Sequence, residues 1–316
     1  MDKTSKLYIA GHGGMVGKAI MRALEKWGYD NLCYAKSGEL DLRDQEGVRD
    51  FFDREKPDIV IDAAARVGGI LANARYPYQF LMENMQIQNN LIDNSLKHDV
   101  KKFIFLGSSC IYPKFSPQPL KEDFLLTDSL EPTNQWYALA KITGVKACEA
   151  IRDQFGKEYV SLMPTNLYGP YDNFDLETSH VLPAMIRKFH EAKVSGHLPV
   201  ILWGSGKPMR EFLFVDDLAE AVIFALENKL PDSLYNVGTG IDLPIEELAK
   251  MIQQVVGHHG EIHWDSSKPD GTPRKVMDIS KLHGLGWKHR VYLQDGVQKT
   301  YAWFLEHQNN YKEVKL

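Results

Sequence analysis

The sequence predicts an α/β protein with a doubly wound parallel sheet and a smaller, interleaved C-terminal lobe. Three observations point to it. Short apolar runs alternate with amphipathic helical segments from residue 7 to about residue 170. The connections between them are short, as parallel strands joined by helical crossovers require. A glycine-rich turn, Gly11-His12-Gly13-Gly14-Met15-Val16-Gly17, follows the first run. Composition agrees: 44% hydrophobic and 25% charged over 316 residues describe an ordinary globular chain, long enough for one large domain or two lobes.

Leu7-Tyr8-Ile9-Ala10 reads as a buried strand, and Ala19, Ile20, Ala23 and Leu24 mark the apolar face of the next helix. Strand, glycine turn and helix form the setting of a dinucleotide fingerprint, and hence of a Rossmann-type domain. Gly11 would make the tight turn, Gly14 admit the pyrophosphate, and Gly17 let helix and strand pack closely. The helix N-terminus adds amides and positive dipole. Leu32–Ala35 is expected as the second strand. An acid at its end would suit the ribose 2′-hydroxyl of NAD. Lys36-Ser37 stand there instead and suit a 2′-phosphate, so the expected cofactor is NADP(H), with Glu39 as the counter-indication.

A helix is expected over Gln45–Arg54, then a strand over Ile59–Ala65 ending in small residues that leave room for a cofactor. Arg66–Ile70 reads as a loop and about 78–97 as a long helix with Leu81, Met85, Gln88, Leu91, Ile92 and Leu96 on one face. Lys102–Leu106 is the next strand, ending at Gly107-Ser108-Ser109-Cys110. Ligands of such sheets gather at the carboxyl ends of strands, which places Gly11, Ala63–Ala65 and Ser108–Cys110 at one rim.

The following helix, about 134–154, carries Tyr137 and Lys141, whose side chains stack one turn apart. A phenol titrates near pH ~10, and a neighbouring cation favours its ionised form. The pair could pass a proton to or from a carbonyl or alcohol oxygen. Tyr159–Met163 reads as a strand ending in Pro164-Thr165-Asn166-Leu167. Beyond residue 170 the composition becomes loop-rich. Helices are expected at Leu182–Ala192, up to about Glu227, at Ile245–Val256 and at Leu293–His307, with strands at Pro199–Gly204 and Leu234–Gly238 and a polar loop at Asp270–Lys275. The expected division is a cofactor lobe of residues 1–170 with a returning segment of about 212–240, and a substrate lobe of 171–211 and 241–316.

A net charge of −5 gives no reason to expect a nucleic-acid partner. No apolar run approaches the ~20 residues of a membrane span, and the start lacks a basic-then-apolar signal region. Cys33, Cys110 and Cys148 lack metal-binding or disulfide spacing, so no metal site and a cytoplasmic location are expected.

With the fingerprint, Ser108 and Tyr137-x-x-x-Lys141 in this order, the chain resembles the extended short-chain dehydrogenase/reductases over nearly its whole length. Gly107–Pro113, Glu131–Asn134, Met163–Pro170, Asp172–Phe174, Ser179–Val181 and Lys268–Lys275 narrow the resemblance to the GDP-L-fucose synthases. Those enzymes epimerise C3 and C5 of GDP-4-keto-6-deoxy-D-mannose and then reduce C4 with NADPH. The resemblance implies acid and base roles for Cys110 and His180. It gives Tyr137 the proton for the C4 oxygen, Ser108 a hydrogen bond to that oxygen, and Lys141 the tasks of lowering the Tyr137 pKa and holding the nicotinamide ribose.

Implied cofactor contacts are Gly11, His12, Gly13, Gly14, Met15, Val16, Gly17 and Lys36, then Leu106, Gly107, Ser108 and Ser109. Tyr137, Lys141, Pro164, Thr165, Asn166, Leu167 and His180 complete that set. Lys188, Trp203, Arg210 and Asp270 would hold the GDP-sugar. Ser109 is left outside the catalytic set, because side chains alternate in direction at a strand end. The family often has Arg where Gly13 stands, which leaves Lys36 with more of the 2′-phosphate. A homodimer through the helices of about 78–97 and 134–154 is also implied. Three rivals share parts of this pattern. A 4,6-dehydratase usually has an acidic pair where Ser109 and Cys110 stand, a 4-epimerase does not need Cys110 and His180, and an NADP-sensing regulator does not need Ser108, Tyr137 and Lys141.

Overall fold

In the computed structural model the chain runs β1 (Leu7–Ala10), α1 (Met15–Lys26), β2 (Leu32–Cys33), α2 (Gln45–Glu55), β3 (Ile59–Asp62), α3 (Ile70–Arg75), α4 (Pro77–Lys97) and β4 (Lys102–Leu106). It continues through α5 (Gln135–Phe155), β5 (Glu158–Pro164), β6 (Asn166–Tyr168), α6 (Val181–Val194), β7 (Val200–Trp203), β8 (Met209–Phe214) and α7 (Val215–Glu227). The remaining elements are β9 (Leu234–Val237), β10 (Asp242–Pro244), α8 (Ile245–Val256), β11 (Ile262–Asp265), β12 (Arg274–Lys275), α9 (Ser280–Gly284) and α10 (Leu293–His307). The structure describes residues 2–268 and 270–308, with backbone alone at 70 and 71. Pro269 of the 268–275 segment and residues 309–316 of the expected second lobe lie outside the described residues.

The main sheet has the order β2-β1-β3-β4-β5-β9 with every pair parallel. Strands covered on both faces read as continuous apolar runs, which is why β1, β3 and β4 were visible in the sequence. One face sends Leu7, Ile9, Ile61 and Ile104 against α1 and α7. The other sends Tyr8, Val60, Phe103 and Phe105 against α2, α4 and α5. The chain leaves β1 for β2 on one side and returns to β3 on the other. A crevice for a ligand opens at such a reversal of strand order. Helix α5 lies close to β4 because Gly144 has no side chain: a Cβ there would stand 2.4 Å from the Phe105 ring.

A smaller sheet joins β10, β8 and β12, with β6 also on β8, and β7 pairs with β11. Phe174, Phe189, Leu248 and Phe304 belong to the core beneath them. Several details differ from expectation. Strand β3 stops at Asp62, whose side chain accepts the Ala64 N–H at 3.0 Å and turns the chain out of the sheet. The expected loop at 66–70 holds through Gly69, and α3 begins at its last residue, Ile70. β6 joins the small sheet directly after β5, and β8 starts at Met209, ahead of the expected return near residue 212. Short β10, β11 and β12 carry no usable period, because their pairing comes from distant segments, and α9 spans only five residues.

Candidate active site

The glycine turn sits at the crevice between β1 and β3. Gly11 has φ +78°, and a Cβ there would lie 2.6 Å from the Ala63 carbonyl oxygen. A Cβ at Gly17 would lie 2.1 Å from the Gly11 oxygen, so α1 packs on the turn only without side chains at both positions. Gly14 precedes α1, whose first turn has neither a side-chain cap nor an acid. Its amides are therefore open to an anion. His12 Nδ1 is buried without a partner, its ring 4.4 Å from that of Tyr34. Gly13 faces open space.

Lys36 is exposed just beyond β2. The His12 imidazole is shifted down by burial first and by Lys36 next, so the two occupy one corner of the site. Glu39, the counter-indication to a 2′-phosphate, accepts the Lys36 backbone N–H at 3.0 Å. Open helix amides, a cradle that a Cβ would fill and an unpartnered imidazole beside a lysine fit a phosphorylated dinucleotide.

At the rim, α5 presents Tyr137 and Lys141. Lys141 is 2% exposed, and its Nζ donates to the Leu106 carbonyl at 2.8 Å while lying 4.6 Å from the Phe105 ring centroid. Burial lowers its pKa, opposed chiefly by Asp62. The Tyr137 phenol is pushed up, by burial first and then by Cys110 and Asp62. The expected lowering by Lys141 is thus absent here, with the ammonium engaged on Leu106 and 5.9 Å from the Tyr137 ring centroid.

Ser108 is half-buried and its Oγ accepts the Cys110 N–H at 3.4 Å, whereas Ser109 is 3% exposed and turned inward. Cys110 is 6% exposed. Burial raises its thiol pKa, opposed first by Lys275 and then by Ser108. His180 stands immediately before α6 and is exposed to solvent. The protein around its ring lowers its pKa, so the imidazole is neutral at pH ~7. The Gly69 N–H donates to the Thr178 carbonyl at 3.2 Å, tying the turn after β3 to the segment that carries His180.

Past β5, Pro164 closes the strand and Thr165 and Asn166 donate to the Glu211 carbonyl at 3.2 and 2.7 Å. Leu167 packs against the main core. In the second lobe Lys188 Nζ donates to the Ile201 carbonyl at 2.9 Å and lies 5.3 Å from the Trp203 ring, which is 45% exposed. Arg210 donates to the Met209 and Asp270 carbonyls at 2.8 and 3.4 Å. The Asp270 carboxylate accepts from the Ser205 N–H and hydroxyl, both at 2.7 Å, and so fastens its own loop to the turn after β7. Arg187 is bound to Glu191 and the Phe174 carbonyl.

Two residues were missed. Lys275, paired across β12–β8 with Arg210, lines a cavity with Cys110, Glu131 and Asn134. Its segment, Asp270–Lys275, read as a polar loop, and the likeness of Lys268–Lys275 to the family gave Lys275 itself no role. Asp62 is fully buried, and an acid inside the apolar run Ile59–Ala65 was a signal that could have found it. Among the described residues no cluster of His, Cys, Asp and Glu could hold a metal ion, and no helix is long and apolar enough to cross a membrane.

A parallel sheet with a glycine turn at its point of reversal defines a dinucleotide-binding Rossmann protein. Residues 7–238 match the model of the NAD dependent epimerase/dehydratase family, and the chain belongs to that family. It is 55% identical to GDP-L-fucose synthase 1 of Arabidopsis thaliana, over 96% of this chain and 94% of that one. It is 52% identical to GDP-L-fucose synthase of Escherichia coli, over 97% and 98%. A GDP-mannoheptose C4 reductase from Campylobacter jejuni, solved with NADP bound, superposes with a TM-score of 0.89 at 39% identity, over 96% and 99% of the two chains.

Proposed function

We infer that the chain is a GDP-L-fucose synthase, converting GDP-4-keto-6-deoxy-D-mannose to GDP-L-fucose by epimerisation at C3 and C5 and reduction at C4. One observation carries the reading from the site: Lys141 of the Tyr137–Lys141 pair donates to the Leu106 carbonyl at 2.8 Å, and the same strand end turns through Ser108, whose Oγ accepts the Cys110 N–H at 3.4 Å, so an acid–base thiol shares the rim with a reductase pair. Full-length likeness to named synthases supports the same substrate.

NADP(H), held by the Gly11–Gly17 turn, Lys36, the Leu106–Ser109 strand end, Pro164–Leu167 and His180, supplies the hydride for C4 when bound. Protons beside a ketone are acidic enough for a positioned base to remove and a positioned acid to return. Cys110 and His180 fill these roles between them. Lys275 favours the Cys110 thiolate that base chemistry needs. Tyr137, kept protonated by burial, donates to the developing C4 alkoxide. Ser108 hydrogen-bonds the same oxygen and stabilises its charge, and Lys141 holds the nicotinamide ribose.

Arg210 and Lys188 bind the diphosphate, Arg210 with the fork suited to paired oxygens. Trp203 packs on base or sugar, and Asp270 sets the loop beside them. Tyr78, Trp136 and Leu139 are exposed on α4 and α5 and support a homodimer through these helices. Three unpaired cysteines support a cytoplasmic site of action, and neither nucleic acid nor membrane is assigned as a partner.

The test is NADPH oxidation dependent on the keto sugar, with solvent deuterium followed at C3 and C5. Cys110→Ser and His180→Gln should lose exchange at one or both carbons. Exchange like wild type in both variants would remove their acid–base roles.

A further inference from the structure

Asp62 ends β3 with no solvent exposure, and the mechanism above gives it no task. Its Oδ1 accepts the Ala64 N–H at 3.0 Å, while Oδ2 has no partner. A half-satisfied carboxylate in an apolar interior is unfavourable unless a charge answers it. Strand register shows where that charge lies. Asp62 stands opposite Phe105 across β3–β4, so both side chains leave the same face of the sheet. On that face the Lys141 ammonium lies 4.6 Å from the Phe105 ring centroid and donates to the carbonyl of the next residue, Leu106. An ammonium has further donors beyond that bond.

We propose that Asp62 is a positioning residue for the reductive step, a buried counter-charge that keeps the Lys141 ammonium protonated beneath the rim. This rests on the reading that gives Lys141 a part in the reduction. Burial strips Lys141 of water, and Asp62 is the leading influence that opposes the resulting loss of its proton. Lys141 likewise leads the influences that favour the Asp62 carboxylate. The other titratable groups that act on this pair are Tyr137 and Cys148 from α5, Tyr8 from β1 and Cys110 from the turn after β4. Burial raises all of them, so they stay neutral at pH ~7. Glu83 of neighbouring α4 is held by Arg66 and Arg43. Burial also pushes the Asp62 carboxyl up to about 6, so the counter-charge is present at neutral pH and fades in mild acid.

Asp62→Asn keeps the shape and removes the charge. The alkaline limb of its kcat profile for NADPH-dependent reduction should move to lower pH by about one unit, with the KM for the keto sugar little changed. A profile superimposable on wild type overturns the proposal. A second measurement needs no folded Asp62 variant and no turnover. The Asp62 carboxyl, followed by carbon NMR, should titrate about one unit or more higher in Lys141→Met than in wild type. An unmoved midpoint overturns the pairing. The two readings fail separately. Wild-type reduction by Lys141→Met removes the role of Lys141 itself. Loss of reduction there, with an unaltered profile in Asp62→Asn, removes only the role of Asp62.

Discussion

Lys36 stands in solvent at the end of β2, with Glu39 drawn away onto its backbone N–H. No Arg occupies the position of Gly13, so the proposed cofactor site leaves this single ammonium to recognise the adenosine 2′-phosphate. A charge-assisted hydrogen bond is worth ~1.5–3 kcal/mol. Lys36→Glu should therefore raise the NADPH Michaelis constant by about tenfold or more and leave that for NADH nearly unchanged. Equal effects on both cofactors would remove the 2′-phosphate role. Asp62 offers a prediction of opposite kind. Its folded pKa of about 6 lies above the ~3.9 of a free aspartate carboxyl, so the folded state binds this proton more tightly than the unfolded chain. Its contribution to stability is full below pH ~4 and lost as pH rises through ~6, leaving the ionised group destabilising at pH 7 by up to about 3 kcal/mol. Urea unfolding should find Asp62→Asn more stable than wild type at pH ~7.5, with the gain vanishing near pH ~4. A variant equally or less stable at both pH values would contradict this. Residue identities were legible where a motif named them. Whether a buried phenol rises or falls in pKa was not, because that depends on where the Lys141 ammonium finds its partner.

At the scale of elements, the placement of α5 on β4 decides whether Tyr137 and Lys141 reach the rim. Gly144 sets that distance, since any Cβ there meets the Phe105 ring at 2.4 Å. Gly144→Val should force helix or ring aside at a cost of ~1–3 kcal/mol. It should also weaken the bond from Lys141 to Leu106, lowering both the melting temperature and the affinity for NADPH. A variant with wild-type values for both would show that the close approach is not needed. The helix periods and buried strands were readable in sequence because each element carries its own apolar pattern. β4, α8 and α10 occupy the spans expected of them. β6, β10 and β12 were not readable, since three-residue and two-residue strands take their identity from β8, far along the chain. The early end of β3 was hidden for a related reason: it depends on one side-chain hydrogen bond from Ala64 to Asp62.

At the scale of the molecule, the two sheets are joined through Glu211. Its buried carboxylate accepts the N–H groups of Thr239, Gly240 and Met277 at 2.5, 2.8 and 2.8 Å. These donors come from segments that only the finished fold brings together, so the joint was invisible in sequence although the change of composition near residue 170 was plain. On the outside, Tyr78, Trp136 and Leu139 remain 69%, 39% and 38% exposed on α4 and α5. The proposed homodimer should sediment as such at micromolar concentration, and Trp136→Glu with Leu139→Glu should shift it to monomer. A wild-type monomer would overturn the interface. The proposed reaction changes three carbons of one sugar. Its most direct test is the product formed from GDP-4-keto-6-deoxy-D-mannose and NADPH in heavy water, identified by proton NMR. The expected product is GDP-L-fucose carrying deuterium at C3 and C5. A sugar reduced at C4 but unchanged in configuration, with protium at both carbons, would contradict it.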